Sequence, residues 1–195
     1  MPVHHSEDPW THVVSKRGYA ADELISTLQK SIRRGDTQLA MLVGREMYET
    51  SPELEGIMWA RLSVISCEDV ADGSWLEPVV LNSLFQMHER MDRTFGDRWL
   101  FATHAIRFLS ERTKDRSSDE WANMTMHLMN AHEPPFEIPE YALDVHTRRG
   151  QEAGSSTDDF WGDGGGSALV NERPGRDTAL RDEINRLRAA GDWKA

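Results

Sequence analysis

Two clusters of basic side chains are the residues of this sequence best suited to bind an anion. They are Lys30, Arg33 and Arg34 in the first cluster and His146, Arg148 and Arg149 in the second. Guanidinium groups and helix ends can bind phosphate or carboxylate oxygens, which makes both clusters candidates for contact with nucleic acid or a partner. Solvent exposure, or pairing with acids between subunits, is the alternative for each cluster alone. If the fold brings the two together, an anion contact is favoured.

The overall charge argues against binding a polyanion through the whole surface. The net charge is −11, so any contact with nucleic acid would have to come from a local basic patch. No apolar run is long enough to cross a bilayer, and the N-terminal residues lack the features of a signal peptide. We therefore predict a cytoplasmic protein without a membrane partner. The single cysteine, Cys67, lies in an apolar run, where we predict a small core residue.

Histidines and acids are present, but not in a pattern typical of catalysis. His127, His132 and His146, with Glu133 and Asp144, could be assembled into a metal or acid–base site. No pair of them has the tight helical spacing that such ligands favour. We therefore expect no catalytic residue, no metal site and no cofactor, and an enzyme built on these histidines is the third hypothesis.

Two further motifs resemble ligand sites only in part. His4 and His5 lack a carboxylate or thiol at ligand spacing. The glycine run at 162–166 lacks the Gly-Lys-Ser/Thr ending of a phosphate-binding loop and neither follows a strand nor opens an apolar helix. Neither motif is predicted to bind a ligand.

Apolar residues recur at helical spacing from residue 20 to about 132, and no segment alternates with the period of a strand. The predicted helices span about 20–34, 37–50, 52–67, 76–94, 97–111 and 118–132, with 76–94 the longest. The side chains predicted to face the core include Leu39, Leu42, Val79, Met87, Met124, Leu128 and Met129. The sequence thus predicts an all-α bundle of about six helices.

Outside the bundle the composition changes. We predict a flexible leader at 1–19, the bundle domain at 20–150, a glycine-rich acidic linker at 151–175 and a short helix within 176–195. The linker carries the aromatic pair Phe160-Trp161, which we interpret as an anchor. The tail is expected to be partly extended, with its last helix packing on the body or on another subunit.

One charged residue interrupts an apolar stripe in the third predicted helix. Arg61 lies four residues before Ile65, and Glu68 and Asp69 end the same helix. A charge so placed usually needs a partner, so a structural ion pair or helix cap is favoured over catalysis.

Three stretches of the sequence resemble a known family. They read GYAADELISTLQKSIRRGD (18–36), WARLSVISCEDVAD (59–72) and IPEYALDVHTRRGQEAG (138–154). They are similar to the C-terminal helical region of the replication-associated recombination ATPases, the RarA/MgsA group of the AAA+ clamp-loader clade. They resemble still more closely small stand-alone proteins that carry only that region. The similarity covers about residues 18–161.

The resemblance implies a clamp-loader C-terminal-like helical bundle that mediates assembly, as a tetramer in the full-length relatives. No Walker A, Walker B or sensor motif is present, so ATPase activity is not implied. Besides the two basic clusters, the motif residues that carry over in structural roles are Gln29, Trp59, Arg61, Glu68, Asp69, Tyr141 and Asp144.

The leading hypothesis is therefore a non-enzymatic assembly module in DNA replication, recombination or repair, which self-associates or binds a AAA+ ATPase. The alternative is a direct nucleic-acid-binding or regulatory protein that uses the two basic clusters.

Overall fold

Helices form all the regular structure in the part of the chain that this computed structural model describes, namely residues 8–70, 75–162 and 165–194. The all-α class predicted from the sequence is confirmed. His4, His5 and part of the glycine run lie outside the described residues. The α-helices span Ala21–Arg33 (α1), Thr37–Thr50 (α2), Pro52–Glu68 (α3), Glu77–Glu89 (α4), Arg98–Glu111 (α5), Ser117–Ala131 (α6), Arg148–Glu152 (α7), Thr157–Trp161 (α8) and Ala179–Ala189 (α9).

Local capping signals set the ends of the first three helices. Gly35 follows α1 with a φ of 72°, a left-handed conformation that glycine adopts without a steric penalty. The Asp36 side chain accepts a hydrogen bond from the Leu39 amide and caps α2. Ser51 caps α3 in the same way, with Pro52 in the first helical turn. These short joints turn α1, α2 and α3 back on one another.

The chain divides into two compact units, Met1–His127 and Leu128–Ala195. In the first unit α1–α5 enclose one apolar core, and the 3-10 helix Pro9–His12 packs on it through Trp10. Part of the predicted leader, from Asp8 onward, is therefore folded against the helices. The largest fully buried apolar side chains are Leu28, Ile32, Met47, Leu54, Met58, Leu62, Ile65, Leu81, Ile106 and Leu109.

Helix α4 differs from its prediction in length and in orientation. It ends at Glu89 and has 13 residues, so the prediction that it is the longest helix is wrong, because α3 has 17 residues. Val79 and Met87, which were predicted to be buried, are exposed, whereas Glu77 and His88 are buried. The reason is that both polar side chains have polar partners in the protein, Arg112 for Glu77 and Glu55 for His88, and a pattern of apolar residues does not reveal such partners.

Three predictions of burial in α2 and α3 are also wrong. Leu39 and Leu42 are exposed because α2 turns Ala40, Val43 and Met47 toward the core instead. Cys67 is also exposed.

The second unit contains the end of α6, the short helices α7 and α8, and α9. Thr147 caps α7, and Ser156 and Asp159 form a capping box at α8. The Phe160 ring lies edge-on to Trp161 at 5.3 Å between centroids, and Arg188 of α9 lies 5.6 Å from the Trp161 ring. The aromatic pair therefore packs within this unit.

Candidate functional site

The ends of α1 and α3 meet in a network of charged side chains. Nε of Arg33 lies 2.5 Å from Oδ1 of Asp69, and Nη2 of Arg33 lies 3.0 Å from Oε1 of Glu68. Asp69 is fully buried, and about a quarter of the Arg33 side chain is exposed. Hydrogen bonding to Asp69, opposed by burial, raises the pKa of Arg33 above its ordinary value. This pair fixes the last turn of α1 to the last turn of α3.

Gln29 extends the network to the middle of α3. Its Nε2 donates a hydrogen bond of 3.1 Å to Oδ2 of Asp69, and its Oε1 accepts one of 3.3 Å from Nη1 of Arg61. Arg116, just before α6, lies 3.7 Å from Oδ1 of Asp69. Residues of the first two sequence motifs are therefore in direct contact, although the contacting residues lie 32 to 40 positions apart in the chain.

Arg61 is not in the ion pair that its position predicted. Glu68 and Asp69 pair with Arg33 of the neighbouring helix, and the partner of Arg61 is the neutral side chain of Gln29. Within the described ranges no carboxylate lies within ion-pair distance of Arg61. Its charge is thus held in place without being neutralised.

The rest of the first basic cluster faces solvent. Nζ of Lys30 donates to the Ser26 hydroxyl at 2.7 Å, and Nη1 of Arg34 donates to the Lys30 carbonyl at 3.3 Å. Of the three cations in the cluster, only Arg33 pairs with acids in the part of the chain the structure covers. Lys30 and Arg34 therefore remain available to a ligand.

The second basic cluster lies in the second unit. Asp144 accepts a hydrogen bond of 2.9 Å from the amide of His146, and its Oδ2 lies 3.2 Å from Nδ1 of that residue. These bonds lower the pKa of Asp144. Arg148 lies 3.6 Å from Glu152, and the Arg149 side chain is exposed. That the two clusters bind one anion together stays a prediction.

Two further motif residues differ in exposure. Tyr141, in the 3-10 helix Glu140–Ala142, is largely exposed, whereas Trp59 is buried. The Trp59 ring lies 5.4 Å from the Phe85 ring and 4.9 Å from the His88 ring, measured between centroids. Trp59 thus forms one wall of a buried polar cluster.

The polar cluster is built around Glu55 of α3. Oε1 of Glu55 lies 2.7 Å from Nε2 of His88 in α4 and 2.9 Å from Nη2 of Arg98 in α5, and Oε2 accepts a hydrogen bond of 2.6 Å from Nε of Arg93. The side chain of Glu55 is 4% exposed and that of His88 is fully buried.

The ionised state of Glu55 is strongly favoured. Burial alone would raise the pKa of its carboxyl, but the close contacts with His88, Arg93 and Arg98 outweigh burial and lower it to about 2. Every oxygen of this carboxylate has a partner, so the cluster ties α3, α4 and α5 together rather than presenting an open acid or base. Sequence reasoning missed it, although Glu55 lies one helical turn before Trp59 on the buried side of α3.

Helix α6 is the exception to the packing of the longer helices. No residue of it is buried, and Trp121, Met124 and Leu128 are 69%, 51% and 41% exposed. Their spacing of three and four residues places them on one side of the helix. The prediction that Met124, Leu128 and Met129 fill the core is wrong. An apolar side of a helix is formed, but it is open to solvent.

Ligand sites of other kinds are not found in the described ranges. No three side chains among the histidines, cysteines and acids located there lie close enough together to hold a metal ion. None of the helices seen there is both long and apolar enough to span a membrane.

The chain was compared with known proteins through family models and through curated sequences. No family model matches it, and no curated protein matches it. The resemblance to the clamp-loader clade therefore stays a prediction, and the fold that the structure itself supports is an all-α bundle.

Proposed function

We propose that this protein is a non-enzymatic assembly module that associates with further copies of itself through the apolar side of α6. The single observation that carries this proposal is the exposure of Trp121, Met124 and Leu128 along one side of a regular helix. We refer to these three residues as the α6 stripe.

A solvent-exposed α6 is poorly stabilised by the rest of its own chain. An isolated helix of about 15 residues is marginal in water even when its residues favour helix formation. Most helices in proteins gain their stability by packing an apolar side, and α6 packs none of its residues in the core. A partner that covers the α6 stripe would supply the missing burial, because large aromatic and sulfur-containing side chains contribute most to such contacts.

A second copy of the chain is the simplest partner for this stripe. A two-fold axis near the middle of α6 would place Trp121 of one copy against Leu128 of the other, so that each large side chain meets a smaller one. The antiparallel arrangement also separates the acidic first turns, where Asp119 and Glu120 lie, which a parallel pair would bring together. The tetramer implied by the resemblance to the RarA/MgsA group would need a second interface between copies of the chain.

The setting in DNA replication, recombination or repair, and a AAA+ ATPase as alternative partner, rest on the resemblance of three motifs. The contact of Gln29 and Arg33 with Asp69 supports the first two of these motifs as one structural unit.

Sedimentation equilibrium of the purified protein tests self-association. We expect a reversible dimer or tetramer, and we expect Leu128→Glu to weaken association by at least about tenfold, because it places a charge in a desolvated contact. Met126→Glu makes the same change in charge on the opposite side of α6 and should leave association unchanged. A wild-type protein that remains monomeric at every concentration would refute the proposal.

The second candidate function is direct binding of nucleic acid. It is favoured by Lys30 and Arg34, which are exposed and have no acidic partner among the residues the structure describes. The net charge of −11 opposes it, since every phosphate contact must overcome general repulsion.

A further inference from the structure

A pocket of about 350 Å³ lies on the first unit where α1, α3 and the 3-10 helix Pro9–His12 meet. We refer to it as the Arg61 pocket. Trp10, Ile25 and Ile57 supply apolar surface to its wall. Lys30 and Arg61 line it as well. The self-association surface on α6 contributes nothing to this pocket.

Arg61 is the group in this pocket best suited to bind a ligand, because its charge is not paired with an acid in the part of the chain that the structure describes. Among the described residues, only Gln29 accepts a hydrogen bond from Arg61, from its Nη1 to Oε1 of Gln29, and no carboxylate there is close enough to pair with Arg61. Gln29 is itself held by Asp69, so the guanidinium is oriented in advance. A guanidinium fork with free N–H donors is well matched to the two oxygens of a carboxylate or to a phosphate.

The charges around the pocket favour a carboxylate over a polyanion. Asp8 and Asp22 lie near one end of α1, and Lys30 lies near the other, about 12 Å farther along the helix by its rise of 1.5 Å per residue. Arg33 also lines the pocket, but Asp69 already neutralises it. The charges of Asp8 and Asp22 thus balance those of Lys30 and Arg61. A chain of phosphates would therefore be repelled by the two aspartates at their end of the pocket.

We propose that the Arg61 pocket binds the carboxylate of a glutamate or aspartate side chain from a partner protein, with Arg61 as the forked donor and Lys30 as the second cation. The apolar wall contacts the methylene groups and neighbouring side chains of that acidic residue. Gln29 is a positioning residue that holds the Arg61 guanidinium toward the bound carboxylate.

A nuclear magnetic resonance titration of the full chain tests this site with small probes. The probe is N-acetyl-glutamate N-methylamide, and its neutral isostere N-acetyl-glutamine N-methylamide is the matched control. We expect saturable shifts of the Arg61 Nε–H and the Trp10 indole N–H signals with the glutamate probe. The glutamine probe should bind at least about tenfold more weakly, because a charge-assisted hydrogen bond is replaced by a neutral one.

Variants identify the side chain responsible. Arg61→Gln should weaken binding of the glutamate probe by about tenfold or more, while Arg107→Gln, which removes an exposed arginine of α5, should not change it. If Arg61→Gln does not fold, Lys30→Gln provides the test, because Lys30 is exposed and its loss should also weaken binding.

Three results would overturn the proposal. They are the absence of saturable shifts up to the solubility of the glutamate probe, equal affinity for both probes, and tighter binding of inorganic phosphate than of the glutamate probe. The last result would identify a phosphate site instead. Because these titrations use a monomeric probe, loss of self-association leaves their outcome unaffected.

Discussion

Replacing Glu55 by glutamine gives the sharpest test of how the bundle is held together. The substitution keeps the size of the side chain but removes the charge that His88, Arg93 and Arg98 surround. Arg98, whose side chain is 12% exposed, and Arg93 would then lose their ion pair with this buried carboxylate, and removing one partner of a buried ion pair usually destabilises a protein by several kcal/mol.

The size of the effect follows from the pKa of Glu55. Its pKa falls from 4.5 to about 2 on folding, and a pKa difference of one corresponds to about 1.4 kcal/mol. The ionised carboxylate therefore contributes about 3 kcal/mol to the free energy of unfolding at neutral pH. Because the folded-state pKa is the lower one, this contribution is complete above pH 4.5 and is lost as the pH falls toward 2. At pH 3 about 1 kcal/mol remains.

Urea unfolding of the wild type and of Glu55→Gln, followed by tryptophan fluorescence at pH 7 and pH 3, measures this contribution. We expect the two proteins to differ by about 3 kcal/mol at pH 7 and by about 2 kcal/mol less at pH 3.

Glu49→Gln is the matched control for this measurement. Glu49 also pairs with several cations, and hydrogen bonds from Arg45 and Arg17 lower its pKa to about 2, but its side chain lies at the surface. Solvent screens such pairs, so this variant should lose less than about 1 kcal/mol. The reasoning would be refuted if Glu55→Gln were no more destabilising than Glu49→Gln, or if the difference from wild type did not shrink at acid pH.

Three other predictions concern α1 and the basic clusters. Arg33→Met should destabilise the protein by about 3 kcal/mol, because it leaves the fully buried Asp69 without its main partner. Lys30→Met is the control and should change stability by less than about 0.5 kcal/mol. Chemical denaturation of both variants measures the difference. Gly35→Ala should cost about 1 kcal/mol through its positive φ alone, since no atom would clash with the new methyl group, and an unchanged melting temperature would contradict this. If the chain binds single- or double-stranded DNA directly, its affinity should fall steeply with salt, and Lys30→Ala or Arg149→Ala should reduce the salt slope; a flat salt dependence would exclude phosphate contacts.

The sequence predicted the helices best where local chemistry sets their ends. The predicted span 37–50 agrees with α2, because Asp36 caps its start and Pro52 follows its end. Helix α4 has no such signal at its C-terminal end, and its prediction ran about five residues too far. Capping is a property of neighbouring residues, so it can be identified without knowing the fold.

Burial was predicted less well, because it depends on contacts between distant segments. The side of α4 that faces the core includes His88, whose partner Glu55 lies 33 positions earlier in the sequence. The apolar pattern assigned Met124 and Leu128 of α6 to the core, which is wrong, because a pattern on one helix does not indicate whether the same chain covers it.

The candidate site shows the same limit. The sequence singled out Gln29, Arg33, Arg61 and Asp69, but the pairing among them reaches across two helices. The sequence predicted solvent exposure or pairing between subunits for Arg33, and an ion pair or helix cap for Arg61. In the structure Arg33 pairs with Glu68 and Asp69, and Arg61 donates a hydrogen bond to the neutral side chain of Gln29. Which arginine meets an acid depends on the register of α1 against α3, and composition and spacing do not encode that register directly.

The central claim is that α6 is completed by a second copy of the chain. Hydrogen exchange of its backbone amides, measured over a range of protein concentrations, tests this claim most directly. We predict that protection of residues 121–129 is high in concentrated protein, falls on dilution and is lost in Leu128→Glu, while protection of α3 stays constant. Protection of α6 that is independent of concentration would contradict the account.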